Sequence, residues 1–436
     1  MFMALKKNTF IKISILAFIY ISFLIGFFLR DYVPGGAIGD FNEITWPLLQ
    51  SFKKDFFLTI KNYGSFGEGS YPLFYIINSY LNPFTYDKTS FLISISVLSF
   101  LTTILFAIVL IKNISNISII DGFLASSIIL LLPFYRSSSY WGTTENLGWF
   151  FLILSFLFFL KIKSNLSKNS EVKIFTIVAF CFFSACSLYI RPALVFWPIS
   201  YFVYLFLIHR NKKVILSSII SFLIFSLPGI ILIFIWGDIY DSQNMDMKLT
   251  EDYHHYKYIV KNIPILLSYF SFYFLPFLII ELVDIGLKKF SLKYLKVFLI
   301  ALLILIIFWK FNFLNYLGNF TYGGGAILKL NYLIKPGNYF LLLISSSVGF
   351  SIIYQILKED FKTNVSILLP IFIFYGLPNM LFQEYVEPLF LLIIYSGILQ
   401  TQLNQIYFKR IFTSNLITIL YFILYLVSAT YYDHFI

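Results

Sequence analysis

The sequence predicts an all-α polytopic membrane protein of about 13 transmembrane helices with a long first external loop that contains juxtamembrane helices. Three observations predict it. The chain is 59% hydrophobic but only 12% charged, whereas a soluble domain is near half apolar and about a quarter charged. Apolar stretches of spanning length recur along it. The basic residues gather in short segments between those stretches, as they do in cytoplasmic loops. The net charge of +11 is therefore read as membrane topology, and a nucleic-acid partner is not expected.

Lys6, Lys7 and Lys12 lead into the first span, 11–29, a retained signal anchor with no small-residue cleavage site. Further spans are expected at 90–111, 118–134, 147–160, 174–190, 193–208, 214–236, 263–283, 297–309, 338–356, 365–381, 386–400 and 411–430. Cys181 and Cys186 lie inside one apolar run and are expected to pack helices rather than form a disulfide or a metal pair. The segment "SYPLFYIINSYLNPF" (70–84) is apolar but short, with proline near both ends. Charge decides its status. If it does not span, 19 of the 32 basic residues are cytoplasmic and 13 external. If it does, the split becomes 12 and 20, against the positive-inside rule. It is therefore read as lying on the membrane, at the end of an external loop 30–89. The basic loops "KIKSNLSKNSEVK" (161–173), "HRNKK" (209–213), "KKFSLKYLK" (288–296) and "FKR" (408–410) are then cytoplasmic. External loops follow at 135–146, 237–262, 310–337 and 382–387. The N-terminus is inside and the C-terminus outside.

The loop start "GGAIGDFNEITWPLL" (35–49) carries Asp40 and Glu43. Gly35, Gly36 and Gly39 permit a tight turn there. Asp40 suits a helix N-cap and Glu43 the N3 position of a capping box. At spacing i, i+3 the two carboxylates also share a helical face, where they could bind a metal or deprotonate a hydroxyl. In "YRSSSYWGTTENLGW" (135–149), Glu145 stands where an external loop re-enters the membrane. A carboxylate there is either a functional group at the hydrocarbon edge or a charge favoured by a helix N-terminus. Arg136 either pairs with Glu145 or contacts phosphate. In "SLYIRPALVFWP" (187–198), Arg191 is the sole charge between two spans; it either binds phosphate or snorkels to headgroups. Glu384 and Glu387 in "NMLFQEYVEPLF" and Lys335 in "LIKPGNYF" either bind substrate or mark helix ends. The adjacent histidines of "EDYHH" (251–255) have poor ligand spacing, and "YGGGA" (322–326) lacks the strand and helix of a phosphate loop.

The order of these features resembles the GT-C superfamily of integral-membrane glycosyltransferases. That superfamily includes protein mannosyltransferases, aminoarabinose transferases, oligosaccharyltransferase catalytic subunits and dolichol-linked glucosyltransferases. A first span leads into a long external loop with acids near its start ("GDFNE"). The loop ends in an apolar, proline-containing segment, and two spans later a loop carries an acid before the next helix ("TTENLGWFF"). The likeness covers residues 10–200; residues 201–436 form the more variable part of a single membrane domain, 1–436. "EYVEPLFLL" resembles a late stretch of the glucosyltransferase branch, but lacks its arginine.

The resemblance implies a sugar donor linked to a polyprenyl phosphate and transfer to a glycan, lipid or protein acceptor on the external face. It implies Asp40 as the base on the acceptor hydroxyl and Glu43 as its neighbour or a metal ligand. Glu145 would orient the acceptor or a divalent cation, so Asp40 and Glu145 are the candidate metal ligands. Arg191, with Lys335 as a second cation, would hold the phosphate. A bacterial inner membrane is the expected location. The competing readings are a lipid or sugar transporter, for which ionisable residues and broken helices at the midplane are expected, and a polysaccharide polymerase, in which arginines would dominate the functional loops.

Overall fold

A computed structural model describes residues 2–30, 37–67, 70–115, 117–237, 256–310, 325–334, 339–378 and 381–435. It divides into two compact units, residues 1–250 with 426–436, and residues 251–425. Among the described residues nine helices are long and apolar enough to cross a membrane, ten if one bent pair counts as a single span. The chain is thus an all-α polytopic membrane protein.

The first unit opens with α1 (Phe2–Leu29). A short turn, α2 (Ala37–Gly39), runs into a π-helical turn, Asp40–Thr45. Three short helices follow: α3 (Trp46–Lys54), α4 (Phe56–Lys61) and α5 (Leu73–Tyr80). Helix α5 has eight residues, about 12 Å of rise, so the 70–84 segment does not span as a helix. Helix α6 (Lys88–Asn113) is started by Asp87, whose carboxylate accepts the Ser90 N–H at 3.0 Å. Hydrogen bonds from Ser90, side chain and backbone, hold Asp87 below the usual carboxylate range. Helix α7 (Ile119–Ser127) is capped by Ser118 and tied to α1 by a Lys12–Asp121 ion pair of 2.7 Å.

The expected span 118–134 breaks at Leu132. Pro133 opens a new helix, α8 (Pro133–Trp141), bent 76° from the preceding one. Proline favours a helix's first turn because it lacks only an N–H that would be unbonded there. The sequence reading of 135–146 as a loop is therefore corrected: most of it is a buried helix. Next come α9 (Glu145–Ser167), α10 (Ile174–Ile190), α11 (Phe196–Tyr204) and α12 (Lys212–Trp236). Cys181 and Cys186 are free thiols buried in α10. Within α12, Pro228 removes one backbone donor. The Tyr189 hydroxyl reaches the backbone beside it, donating to Phe225 O at 2.8 Å and accepting the Gly229 N–H at 3.0 Å.

The second unit contains α13 (Tyr256–Ile285), α14 (Leu287–Lys310), α15 (Gly325–Ile334), α16 (Phe340–Glu359), α17 (Phe361–Gly376), α18 (Leu389–Tyr395) and α19 (Gln402–Lys409). Helix α20 (Ile411–Phe435) closes the chain. Two expectations are corrected here. The basic segment 288–296 is not a loop but the first part of α14, where Lys293 meets buried Glu281 at 2.7 Å and Tyr294 donates to the same carboxylate at 2.6 Å. The run 386–400 is not a span: α18 has seven residues, all buried, so its hydrophobicity reflects protein around it rather than lipid. The expected spans at 174–190 and 365–381 form helices of 17 and 16 residues.

Helices α13 and α16 approach closely at Gly349. A Cβ there would lie 2.0 Å from the Leu267 carbonyl oxygen, a backbone atom that cannot swing aside. Ser345, Ser346 and Ser347 precede it on α16 and are buried, in keeping with small residues at membrane helix contacts. Gly349→Ala is expected to lower stability by about 1–3 kcal/mol, read as a fall in unfolding temperature in detergent micelles. Gly39→Ala is the matched control. Gly39 is right-handed helical with nothing within 4 Å of an added Cβ, so that change should leave the transition unmoved or slightly raised.

Candidate functional site

The site is built around α8, whose nine residues include a run of polar ones, Arg136 to Ser139, all buried. Such burial requires partners, and α8 finds many. Ser139 and Ser99 hydroxyls both accept from the Asn146 side-chain amide, at 2.6 and 2.7 Å. The Tyr140 hydroxyl donates to Phe23 O of α1 at 2.6 Å. Arg136 donates to Ser22 O at 2.5 Å and lies 5.9 and 5.8 Å from the Phe23 and Tyr140 rings. Arg136 thus fastens α8 to α1, and it is Arg191 that pairs with Glu145.

Gly142 ends α8 in the left-handed conformation, φ 63°, which glycine adopts without a Cβ penalty. Three residues on, α9 begins at Glu145. One Glu145 oxygen lies 3.3 Å from the Arg191 guanidinium, and the other accepts from the Ser138 hydroxyl at 3.1 Å. Ser138 in turn shares a 2.7 Å hydrogen bond with Thr143. Arg191 directly follows the last residue of α10 and lies 5.3 Å over the Trp149 ring. Gly148 permits this meeting, since a Cβ there would sit 3.3 Å from Arg191 Cβ. The Arg191 side chain is 6% exposed and that of Glu145 28%. At 3.3 Å the attraction is about 5 kcal/mol at an effective dielectric near 20, and desolvating Arg191 offsets much of it.

The Asp40 stretch reaches the same helix from the other side of the sequence. Turn α2, immediately before Asp40, packs against α8. Asp40 and Glu43 are exposed and belong to the π-helical turn, a form frequent at functional sites. This corrects two local expectations. Asp40 is not an N-cap, because helical backbone begins at Ala37. The wider π turn also rotates positions i and i+3 further apart than an α-helix does. Gly35 and Gly36 lie outside the described residues. Between the two acids, Phe41 is buried and stacks on Phe91 at 6.1 Å. Lys88 sits 5.7 Å from the Phe41 ring and donates to Asn42 at 2.9 Å. Sequence reasoning missed this cation. Its signal was its place at the first residue of α6, at the same end of the first span pair as Asp40.

Two further groups on α8 were also missed. Ser137 Oγ and Trp141 Nε1 have no hydrogen-bond partner among the described residues, although both residues are at least nine-tenths buried. They are four residues apart and so share one helical face.

The remaining candidates fall in the second unit. Glu387 is 2% exposed and accepts from the Tyr273 and Tyr425 hydroxyls at 2.6 and 3.2 Å. Gln383 donates to the same two hydroxyls at 2.8 and 2.9 Å. Glu384 is half-buried nearby. Lys335 lies outside the described residues. Among the described residues no group of three or more His, Cys, Asp or Glu is placed to hold a metal. Both oxygens of Glu145 are engaged by Arg191 and Ser138. That donor set does not fit a divalent cation, which would have to displace the guanidinium.

A double-mutant cycle measures the central pair. Glu145→Gln and Arg191→Met should show a coupling of about 1–3 kcal/mol in unfolding free energy. Glu145→Gln alone is the milder change, since its amide still accepts from Ser138. Independent effects of the two substitutions would show that the pair contributes nothing. No family model matches this chain, and no curated protein or solved structure does either.

Proposed function

We propose that this protein is a glycosyltransferase of the external membrane face that moves a sugar from a polyprenyl-phosphate-linked donor to a hydroxyl acceptor. The observation that carries the reading is the meeting on α8. The turn preceding Asp40 packs on this helix, and its Ser138 holds Glu145, the partner of Arg191. Two buried donors on the same helix, Ser137 Oγ and Trp141 Nε1, have hydrogen-bonding capacity that the described residues do not use. Buried donors of that kind suit a ligand rich in oxygen acceptors, such as a sugar or a phosphate.

Glycosyl transfer passes through an oxocarbenium-like state. It requires a base to take the proton of the attacking hydroxyl and positive charge at the departing phosphate. Asp40 is the base in this reading. It stands in an exposed turn that an acceptor can reach, with Glu43 beside it. Lys88 and Arg191 supply positive charge. The Arg191 guanidinium presents its donors in a rigid planar fork, a shape that matches a phosphate. Glu145 positions Arg191 rather than acting on the acceptor, and no step runs through a metal ion.

The test is turnover in membranes with a panel of polyprenyl-phosphate sugars. The wild type should consume at least one donor. Asp40→Asn should lose about 10²- to 10⁴-fold in rate with an unchanged unfolding temperature. Near-normal turnover by Asp40→Asn would remove Asp40 as the base, and failure of the wild type to consume any donor would remove the reading itself.

A further inference from the structure

The segment between α1 and α6 carries an exposed apolar edge that the proposed transfer does not use. On α4, Phe57 is 82% and Leu58 56% exposed. After α5, Leu81 is 76% and Phe84 51% exposed. These residues are neighbours rather than scattered. The Phe57 and Phe56 rings are 5.3 Å apart, and Phe56 lies 6.2 Å from Tyr80, itself half exposed. Tyr80 donates to Phe52 O at 2.5 Å, and the Lys53 ammonium donates to Thr85 O. Single exposed apolar residues need no explanation, but a contiguous set marks a contact surface.

What covers this edge follows from its surroundings. The segment is bounded by two candidate membrane spans, and Phe84 is four residues from the first residue of α6. It cannot stand far from a bilayer surface. The edge is also flanked by exposed Lys54 and Lys61, which make no ion pair among the described residues. The local acid, Asp55, is occupied as the N-cap of α4, accepting the Leu58 N–H at 2.9 Å. Aromatic residues beside lysines are the pattern of an interfacial anchor on anionic lipid.

We infer that α4 and the loop after α5 form a docking edge that inserts Phe57, Leu58, Leu81 and Phe84 below the headgroups and binds anionic lipid phosphates through Lys54 and Lys61. The effect on this chain is to hold the Asp40 turn, which begins the same segment, at a fixed depth. The inference does not depend on the chemistry proposed above.

The test uses the full chain in nanodiscs, with Cys181→Ala and Cys186→Ala and a nitroxide placed by Phe57→Cys or Leu81→Cys. Both positions should be accessible to oxygen and protected from a water-soluble nickel chelate. A label at Asn42→Cys should show the reverse. Titration with short-chain phosphatidylglycerol below its micelle concentration should broaden the Phe57→Cys signal. Lys54→Gln or Lys61→Gln should weaken that binding about fivefold, while phosphatidylcholine should bind equally to all forms. Three results would overturn the inference: nickel access at 57 and 81, protection from both reagents, which would mean a protein covers the edge, or phosphatidylglycerol binding unaffected by either lysine change.

Discussion

In an apolar solvent every polar group that leaves water must find its partner inside the chain, and much of this structure is the working out of that constraint. The helices satisfy their backbones internally. Their serines and threonines mostly bond back to carbonyls three or four residues earlier, as Ser99 does to Ile95 and Ser187 to Ser184. Where a proline interrupts the ladder, a side chain compensates. The Tyr189 hydroxyl contacts both the donor and the acceptor of the rung next to Pro228, and a Cβ at Gly229 would lie only 2.9 Å from that side chain. Buried charges obey the same demand. Glu281 takes Lys293 and Tyr294, and Asp121 takes Lys12 and Ser118.

A buried donor left unbonded costs about 1–3 kcal/mol, and α8 carries two of the chain's donors that have no partner among the described residues, alongside others such as Gln50 Nε2 and Ser184 Oγ. Elsewhere on α8, Arg136, Ser138, Ser139 and Tyr140 each reach a partner. The unmet donors, the Ser137 hydroxyl and the Trp141 indole N–H, lie four residues apart on one face of the helix. The proposed site is placed on α8 because the turn before Asp40 and the Glu145–Arg191 pair also meet there, whereas in the Glu387 cluster the carboxylate and the amide are bonded to the surrounding tyrosines.

Hydropathy made the long helices legible in the sequence, because the length needed to cross hydrocarbon is a single-chain property. It failed where burial in protein imitates burial in lipid. The run 386–400 reads as a span, yet α18 is short and surrounded by its own unit. It failed again where a polar helix is buried: nothing in "YRSSSYWGTTEN" distinguishes a solvated loop from α8, since the distinguishing fact is the packing of α1, α6 and α9 around it. Charge counting treated lysines as topological markers, but Lys12 and Lys293 also answer specific carboxylates. Asp40, Glu145 and Arg191 could be named from their positions at span ends. The partners of the last two could not, because Ser138 and Trp149 are joined to them only through tertiary structure. The capping-box reading of Asp40 failed because the helix starts three residues earlier than the polar pattern suggests.

The Glu145–Arg191 pair also differs in kind from the Lys293–Glu281 pair. Glu145 opens α9 and Arg191 immediately follows α10. A helix N-terminus favours a carboxylate and a C-terminus favours a cation, so each charge is stabilised by its own helix end. Lys293 and Glu281 have no such support, as each lies inside its helix. Opening the Glu145–Arg191 contact therefore strips each group of one interaction and leaves its dipole interaction in place. Under the proposed function, a phosphate arriving at Arg191 exchanges one anion for another at a helix end that already favours the cation. Glu145, part-exposed and still bonded to Ser138, turns toward water instead of being stranded. The pair can thus hold the guanidinium in position without the donor and release it to the donor at small cost, which a pair buried in mid-helix could not do.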